Sequence, residues 1–209
     1  MARYIGPVCR LCRRVGEKLM LKGERCATAK CSLDRRAAGP GRRPGGRPRK
    51  VSDYELRLRE KQKARFDYGL LERQFYGLFV QAERAPGLTG NNLKQLLERR
   101  LDNTVFRLGF GESRSHARQL VRHGHIQVNG RKVDIPSYQV KPGDEIGWRE
   151  MAKAKEPFKV AQELAESKMV PSWLELDKQN LVGKVLTLPS PEETGAKFDG
   201  KMIVEYYSR

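Results

Sequence analysis

The chain has 209 residues, with 42 lysines and arginines against 25 aspartates and glutamates and a formal net charge of +17. That length allows a core and more than one domain, and that charge favours a polyanionic partner while saying little about fold. No apolar run approaches the ~20 residues needed to span a bilayer, and the opening MARYIGPVCRLCRR lacks the apolar stretch of a secretory signal, so a soluble, intracellular protein with no membrane partner is expected. The charge is uneven. Residues 1–50 carry +12, residues 51–150 carry +5, and residues 151–209 carry none, the distribution of a basic arm on a balanced body.

The four cysteines come first: Cys9 and Cys12, then thirteen residues, then Cys26 and Cys31. Two close pairs around a loop have the form of a closed tetrahedral thiolate site. Residues 1–35 are therefore expected to form a metal module in which one zinc ion plays a structural role. An iron–sulfur cluster accepts the same four donors. The plainer alternatives are two disulfides, which an intracellular chain disfavours, or four unligated thiols. The loop carries Leu19, Met20 and Leu21 as its apolar cluster. Such a module does not fold on burial alone, and metal binding would contribute on the order of 10 kcal/mol.

Residues 35–50, RRAAGPGRRPGGRPRK, hold seven basic residues, four glycines, three prolines and no acid. The stretch cannot bury a core, so 36–50 reads as an arm that a partner orders. Arg35, Arg36, Arg42, Arg43, Arg47, Arg49 and Lys50 are its candidate phosphate contacts, in the manner of arginine-rich arms that fold on RNA.

Ser52 and Glu55 form a capping box that starts a helix, which runs to about Tyr68 and is stopped by Gly69. Its charged surface offers Arg57 and Lys61. A second helix, 71–85, places Phe75, Leu78, Phe79 and Ala82 on one face, and Pro86-Gly87 breaks it. A third, capped by Asn91 or Asn92, aligns Leu93, Leu96, Leu97, Leu101, Val105 and Leu108 and ends at Gly109. Residues 51–98 are thus a helical domain, expected to be joined by 190–209.

The next helix, 114–123, is capped by Ser113 and has Arg114, Arg118 and Arg122 four apart on one side. Ala117, Leu120 and Val121 fall opposite. After Gly124 the pattern turns to strands at 126–128, 132–135, 139–140 and 145–148, with Asn129-Gly130 as a tight hairpin. A helix at 157–168 and strands at 173–176, 184–188 and 202–207 complete the reading. The fold class is α+β and multi-domain, with 99–165 as an α-plus-β module of two helices on a small antiparallel sheet and 166–209 as a strand-rich end.

A helix with a packed face and an arginine face is suited to hold an anion, since the guanidinium fork matches phosphate oxygens and a helix N-terminus attracts them. Ser113, Arg114, His116, Arg118, Gln119, Arg122, His123, Asn129, Arg131 and Lys132 are the candidate RNA contacts here. The histidines lack a partner motif for chemistry, and hydrogen bonding or stacking is the better reading. No phosphate-binding glycine loop, dinucleotide fingerprint, zinc-protease helix or nucleophile elbow is present. No catalytic residue and no small-molecule substrate are expected, and the chain is read as a binding protein, not an enzyme.

The stretch Arg100-Leu101-Asp102-Asn103-Thr104-Val105-Phe106-Arg107-Leu108-Gly109, with Ser113 through Gly130, closely resembles the RNA-binding module named after ribosomal protein S4. The opening Arg3-Tyr4-Ile5-Gly6-Pro7 and its cysteines, Glu60-Lys61-Gln62-Lys63, Glu72-Arg73-Gln74-Phe75 and the ending Glu205-Tyr206-Tyr207-Ser208-Arg209 extend the resemblance to the bacterial small-subunit S4 family over nearly the whole chain. The resemblance implies a primary binder of small-subunit ribosomal RNA that nucleates assembly of the subunit body. It also implies contact with ribosomal protein five, affecting decoding accuracy, with other small-subunit proteins, and with messenger RNA where it enters the ribosome. Because all four cysteines are present, the zinc form of the family is implied. Two rivals share some of these features: an RNA-modifying enzyme that carries the same module, and a zinc-ribbon transcription or antitermination factor.

Overall fold

The computed structural model describes residues 3–36, 38–41, 50–190 and 192–208. Its helices in chain order are α1 (Cys9–Val15), α2 (Ser32–Arg35), α3 (Asp53–Asp67), α4 (Glu72–Arg84), α5 (Thr89–Glu98), α6 (Leu101–Arg107), α7 (Arg114–Arg122), α8 (Glu150–Lys153), α9 (Glu156–Ser167) and α10 (Gly200–Tyr207). Its strands are β1 (Ile126–Val128), β2 (Arg131–Lys132), β3 (Glu145–Trp148), β4 (Leu174–Asp177) and β5 (Val182–Val185). Helices with an antiparallel sheet make this an α+β protein. Two compact units emerge, Met1–Leu93 with Ala196–Arg209, and Lys94–Gly195. Among the described residues no helix is long and apolar enough to cross a membrane.

In the first unit α3 starts where its capping residue sits, with the Ser52 hydroxyl accepting from the Glu55 N–H at 3.2 Å. Phe66 of α3 packs with Leu11, Cys12, Val15 and Leu19 into a small core. The end of the chain differs from the sequence expectation. Residues 202–207 form a helix, not a last strand. Asp199 caps it, accepting from the Lys201 N–H at 2.8 Å. Met202 and Tyr206, and Ile203 and Tyr207, are four apart and so share helical faces. Arg57 of α3 donates to Glu205 at 2.7 Å, and the Asp199 N–H donates to Glu60 at 3.0 Å. At the start of α10 the chain passes so close to Gly90 that a Cβ on Gly200 would lie 3.0 Å from the Gly90 Cα.

In the second unit five antiparallel strands run in the order β2-β1-β3-β5-β4. Val128 faces Arg131 and Gln127 faces Lys132 across the hairpin, while Ile126 faces Trp148. The sheet does not stop at residue 165. β5 continues it by pairing with β3, Ile146 opposite Gly183. Gly183 has no side chain because that of Leu108 fills the space a Cβ would need. Leu101, Val105 and Leu108 of α6, Ala117, Leu120 and Val121 of α7, and Ile126, Ile146, Trp148, Trp173 and Leu174 from the sheet side form one core.

The single long helix expected up to Leu108 is two helices. Arg100 is extended (φ −66, ψ 136). Its neighbours bond residues 136–140: the Leu101 N–H donates to Tyr138, the Asp102 N–H to Pro136, and the Val140 N–H returns to Arg99. These bonds replace those a continuous helix would make. The expected strand at 139–140 is accordingly one isolated bridge, Arg100 with Gln139.

Candidate nucleic-acid interface

Helix α7 begins at Ser113, whose backbone is extended and whose hydroxyl accepts the His116 N–H at 3.3 Å. Ala117, Leu120 and Val121 are buried, as their spacing predicts. The arginine face is a different matter. Arg114 is half-buried, with its Nε donating to Asn103 Oδ1 at 2.8 Å and its guanidinium 4.9 Å from the Phe106 ring. Arg118 is 6% exposed and donates to Asp102 at 3.2 Å. Only Arg122 is exposed. The three arginines do not form one solvent face, because residues four apart advance by roughly 40° around a helix. One edge of the row therefore turns into the contact with α6, and Arg118 is a structural residue.

What α7 and the hairpin present together lies at the C-terminal end of the helix. Gln119, Arg122 and His123 are exposed there, as are Asn129, Arg131 and Lys132 of the hairpin. Gly124, at φ +69, lets them meet, since a Cβ on it would lie 2.7 Å from the Lys132 side chain. Asn129 and Gly130 both have positive φ, 49° and 75°, as the tight turn requires. The Asn129 side chain is occupied: its amide donates to Asp144 at 2.9 Å and its oxygen accepts the Glu145 N–H at 2.8 Å. It holds the hairpin to β3. His116 is half-buried. His125, half-buried against Trp148, has its pKa pushed down by burial and by Lys155, His123 and Arg149, so its ring is biased toward the neutral form.

In the first unit Lys61 does not face solvent. It is 3% exposed, donates to Glu72 at 2.7 Å and sits 4.7 Å from the Tyr206 ring. Burial with a carboxylate makes it a structural cation, contrary to its expected role in RNA contact. Arg57 is half-buried on Glu205. Arg35, Arg36 and Lys50 are exposed. Arg42, Arg43, Arg47 and Arg49 lie outside the described residues.

The cysteines Cys9, Cys12, Cys26 and Cys31 are free thiols that line one small cavity with Lys22, Arg25 and Lys30. Burial pushes the Cys12 thiol pKa up, with the other three cysteines adding to it, and the Lys22 N–H donates to Cys26 Sγ at 3.4 Å. The donor chemistry suits a soft metal, but the arrangement does not reach a coordination site: among the described residues no group of three or more His, Cys, Asp or Glu is placed to hold a metal ion.

Sequence reasoning passed over Asp102 and Asn103, which fix Arg118 and Arg114. The available signal was an adjacent polar pair inside the apolar spacing of Leu101, Val105 and Leu108.

Two family models match the chain: the ribosomal protein S4/S9 N-terminal domain over residues 3–98 and the S4 domain over residues 99–146. The small ribosomal subunit protein uS4 of Desulforamulus reducens is 56% identical over 209 residues, covering 100% of both chains. That of Pelotomaculum thermopropionicum is 56% identical, and that of Thermus thermophilus 53%, over the same full lengths.

Proposed function

The chain belongs to the uS4 family of small ribosomal subunit proteins, and from that membership we infer that it is a structural constituent of the small ribosomal subunit that binds small-subunit ribosomal RNA. It is a cytoplasmic scaffold protein, not an enzyme. The observation that carries the reading is a family match that runs from residue 3 to residue 146, with full-length relatives above 50% identity. The exposed cations Arg122, Arg131 and Lys132 are our candidate phosphate contacts on the second unit, and Arg35, Arg36 and Lys50 those on the first.

Several finer points are proposals that extend this reading. The protein binds early and nucleates assembly of the subunit body. It touches ribosomal protein five and other small-subunit proteins, and through the former affects decoding accuracy. It lies beside messenger RNA where it enters the ribosome. The four cysteines take one zinc ion, with an iron–sulfur cluster as the alternative. What supports a metal is that four soft donors share one cavity.

The test is a binding titration of the full chain with small-subunit ribosomal RNA over a range of salt. Affinity should fall with salt at a log–log slope of about −0.7 to −0.9 per phosphate neutralised. The triple change Arg122→Glu, Arg131→Glu, Lys132→Glu should weaken binding and flatten that slope. Equal affinity of wild type and triple variant at physiological salt would remove this surface from the interface.

A further inference from the structure

We infer that Lys168 and Arg114, which both lie against the Phe106 ring, form with Arg107 a phosphate site that receives one backbone phosphate of the bound RNA. The inference rests on the RNA-binding function above and adds to Arg114 two residues, Arg107 and Lys168, that the arginine spacing of α7 does not reach. The three cations come from three places: the end of α6, the start of α7 and the residue that ends α9. The Lys168 ammonium stands 3.8 Å from the Phe106 ring centroid and donates to the Phe106 carbonyl at 2.9 Å. The Arg114 guanidinium is 4.9 Å from the same ring. Arg107 is anchored by two hydrogen bonds, 2.9 and 2.8 Å, to fully buried Glu98, and it also donates to the Thr194 carbonyl.

The position of Lys168 is built. Gly109 has φ +86, and a Cβ there would lie 3.4 Å from both Cβ and Cδ of Lys168, so the glycine opens the track along which the lysine stem runs. The hydrogen-bond and ring partners that hold its ammonium, a carbonyl and an aromatic ring, are both neutral. Burial pulls its pKa down to about 8, and Arg107 and Arg114 add to the shift. Drawing a lysine out of water beside two guanidiniums is unfavourable on its own. A phosphate reverses that balance, because its oxygens accept charge-assisted hydrogen bonds from ammonium and guanidinium alike.

The charged groups facing Lys168 are Arg107 and Arg114, with Glu98 behind Arg107. A bound phosphate favours the ammonium form, so the complex retains a proton that the free protein loses near pH 8. Affinity should therefore fall as pH rises through 8. A lysine that merely bonds the last turn of α6 would not link RNA affinity to pH in this way.

The experiment compares the full wild-type chain with Lys168→Arg and Lys168→Met for binding of small-subunit ribosomal RNA at pH 7 and pH 9. Wild-type affinity should drop roughly tenfold across that range. Lys168→Arg, charged throughout, should bind as well as wild type at pH 7 and lose most of the pH response. Lys168→Met should reduce the log–log salt slope by about one. In a second arm the wild-type Lys168 ammonium is followed by NMR during titration with inorganic phosphate alone. If all three chains bind RNA with the same pH response and salt slope, the site is refuted while the RNA-binding function stands. If wild type does not bind this RNA at all, both fall. If inorganic phosphate shifts the Lys168 signal but RNA affinity shows no pH response, the site holds free phosphate and the RNA assignment is wrong.

Discussion

Asp102 is 4% exposed and accepts two hydrogen bonds from Arg100, at 3.0 and 2.8 Å, and one from Arg118, at 3.2 Å. One carboxylate thus serves two buried arginines, whose side chains are 3% and 8% exposed. Asp102→Ala would remove the carboxylate to which both donate, and removing one partner of a buried pair costs about 3–5 kcal/mol. Urea denaturation of the full chain measures it, and a loss under about 1 kcal/mol would contradict the burial argument. Asn103 positions Arg114 without supplying charge, its oxygen accepting from Arg114 Nε and its amide donating to Glu98 Oε2 at 2.8 Å. The presence of Arg118 on α7 was legible in the spacing, but its role was not. Its partner lies sixteen residues earlier on another helix, and only the packing of α6 on α7 brings the two together.

Helix α10 shows the same division for a whole element. An apolar run at 202–207 suits either a strand or a helix, since short apolar runs are ambiguous in period. Its helical state follows from the Asp199 cap and from the surface it covers: Tyr207 packs 4.5 Å from Phe79 and donates to Glu72 at 2.8 Å. Burial alone would raise the Glu72 pKa. The hydrogen bonds from Lys61 and Tyr207 outweigh it and hold the carboxyl below its ordinary value. A carboxylate depressed in the folded state contributes stability that is complete above its unfolded pKa and is lost as pH falls through the folded one. The melting temperature should therefore decline below about pH 4.5 more steeply in wild type than in Glu72→Gln, read by calorimetry. Parallel curves would show that Glu72 does not anchor α10. Helices α3, α4 and α7 lie within a residue or two of their expected bounds because each has its own cap or stop. The split between α5 and α6 was hidden, because the carbonyls that Leu101 and Asp102 donate to belong to residues 136–138.

At the scale of the molecule, the first unit is assembled from both ends of the chain and the second from its middle. The cysteine cavity belongs to the first unit, so the proposed metal binding is local to it. The purified chain should then carry about one zinc ion, and a chelator should alter the NMR signals of residues 9–35 while those of 126–148 keep their positions. An N-terminal spectrum indifferent to chelation would reject the metal. Composition, the cysteine pairs, helix caps, the Asn129-Gly130 turn and the basic excess of the first 50 residues depend on neighbours in sequence, and the chain alone determined them. It also determined the family, since motifs are distributed along its whole length. Tertiary structure alone decided which cations face solvent and which are neutralised, that β5 extends the sheet past residue 165, and that the last residues form a helix. The physical reason is common to all three: burial, counter-charge and sheet pairing are set by residues far away in the chain, and no local pattern records where those residues will arrive.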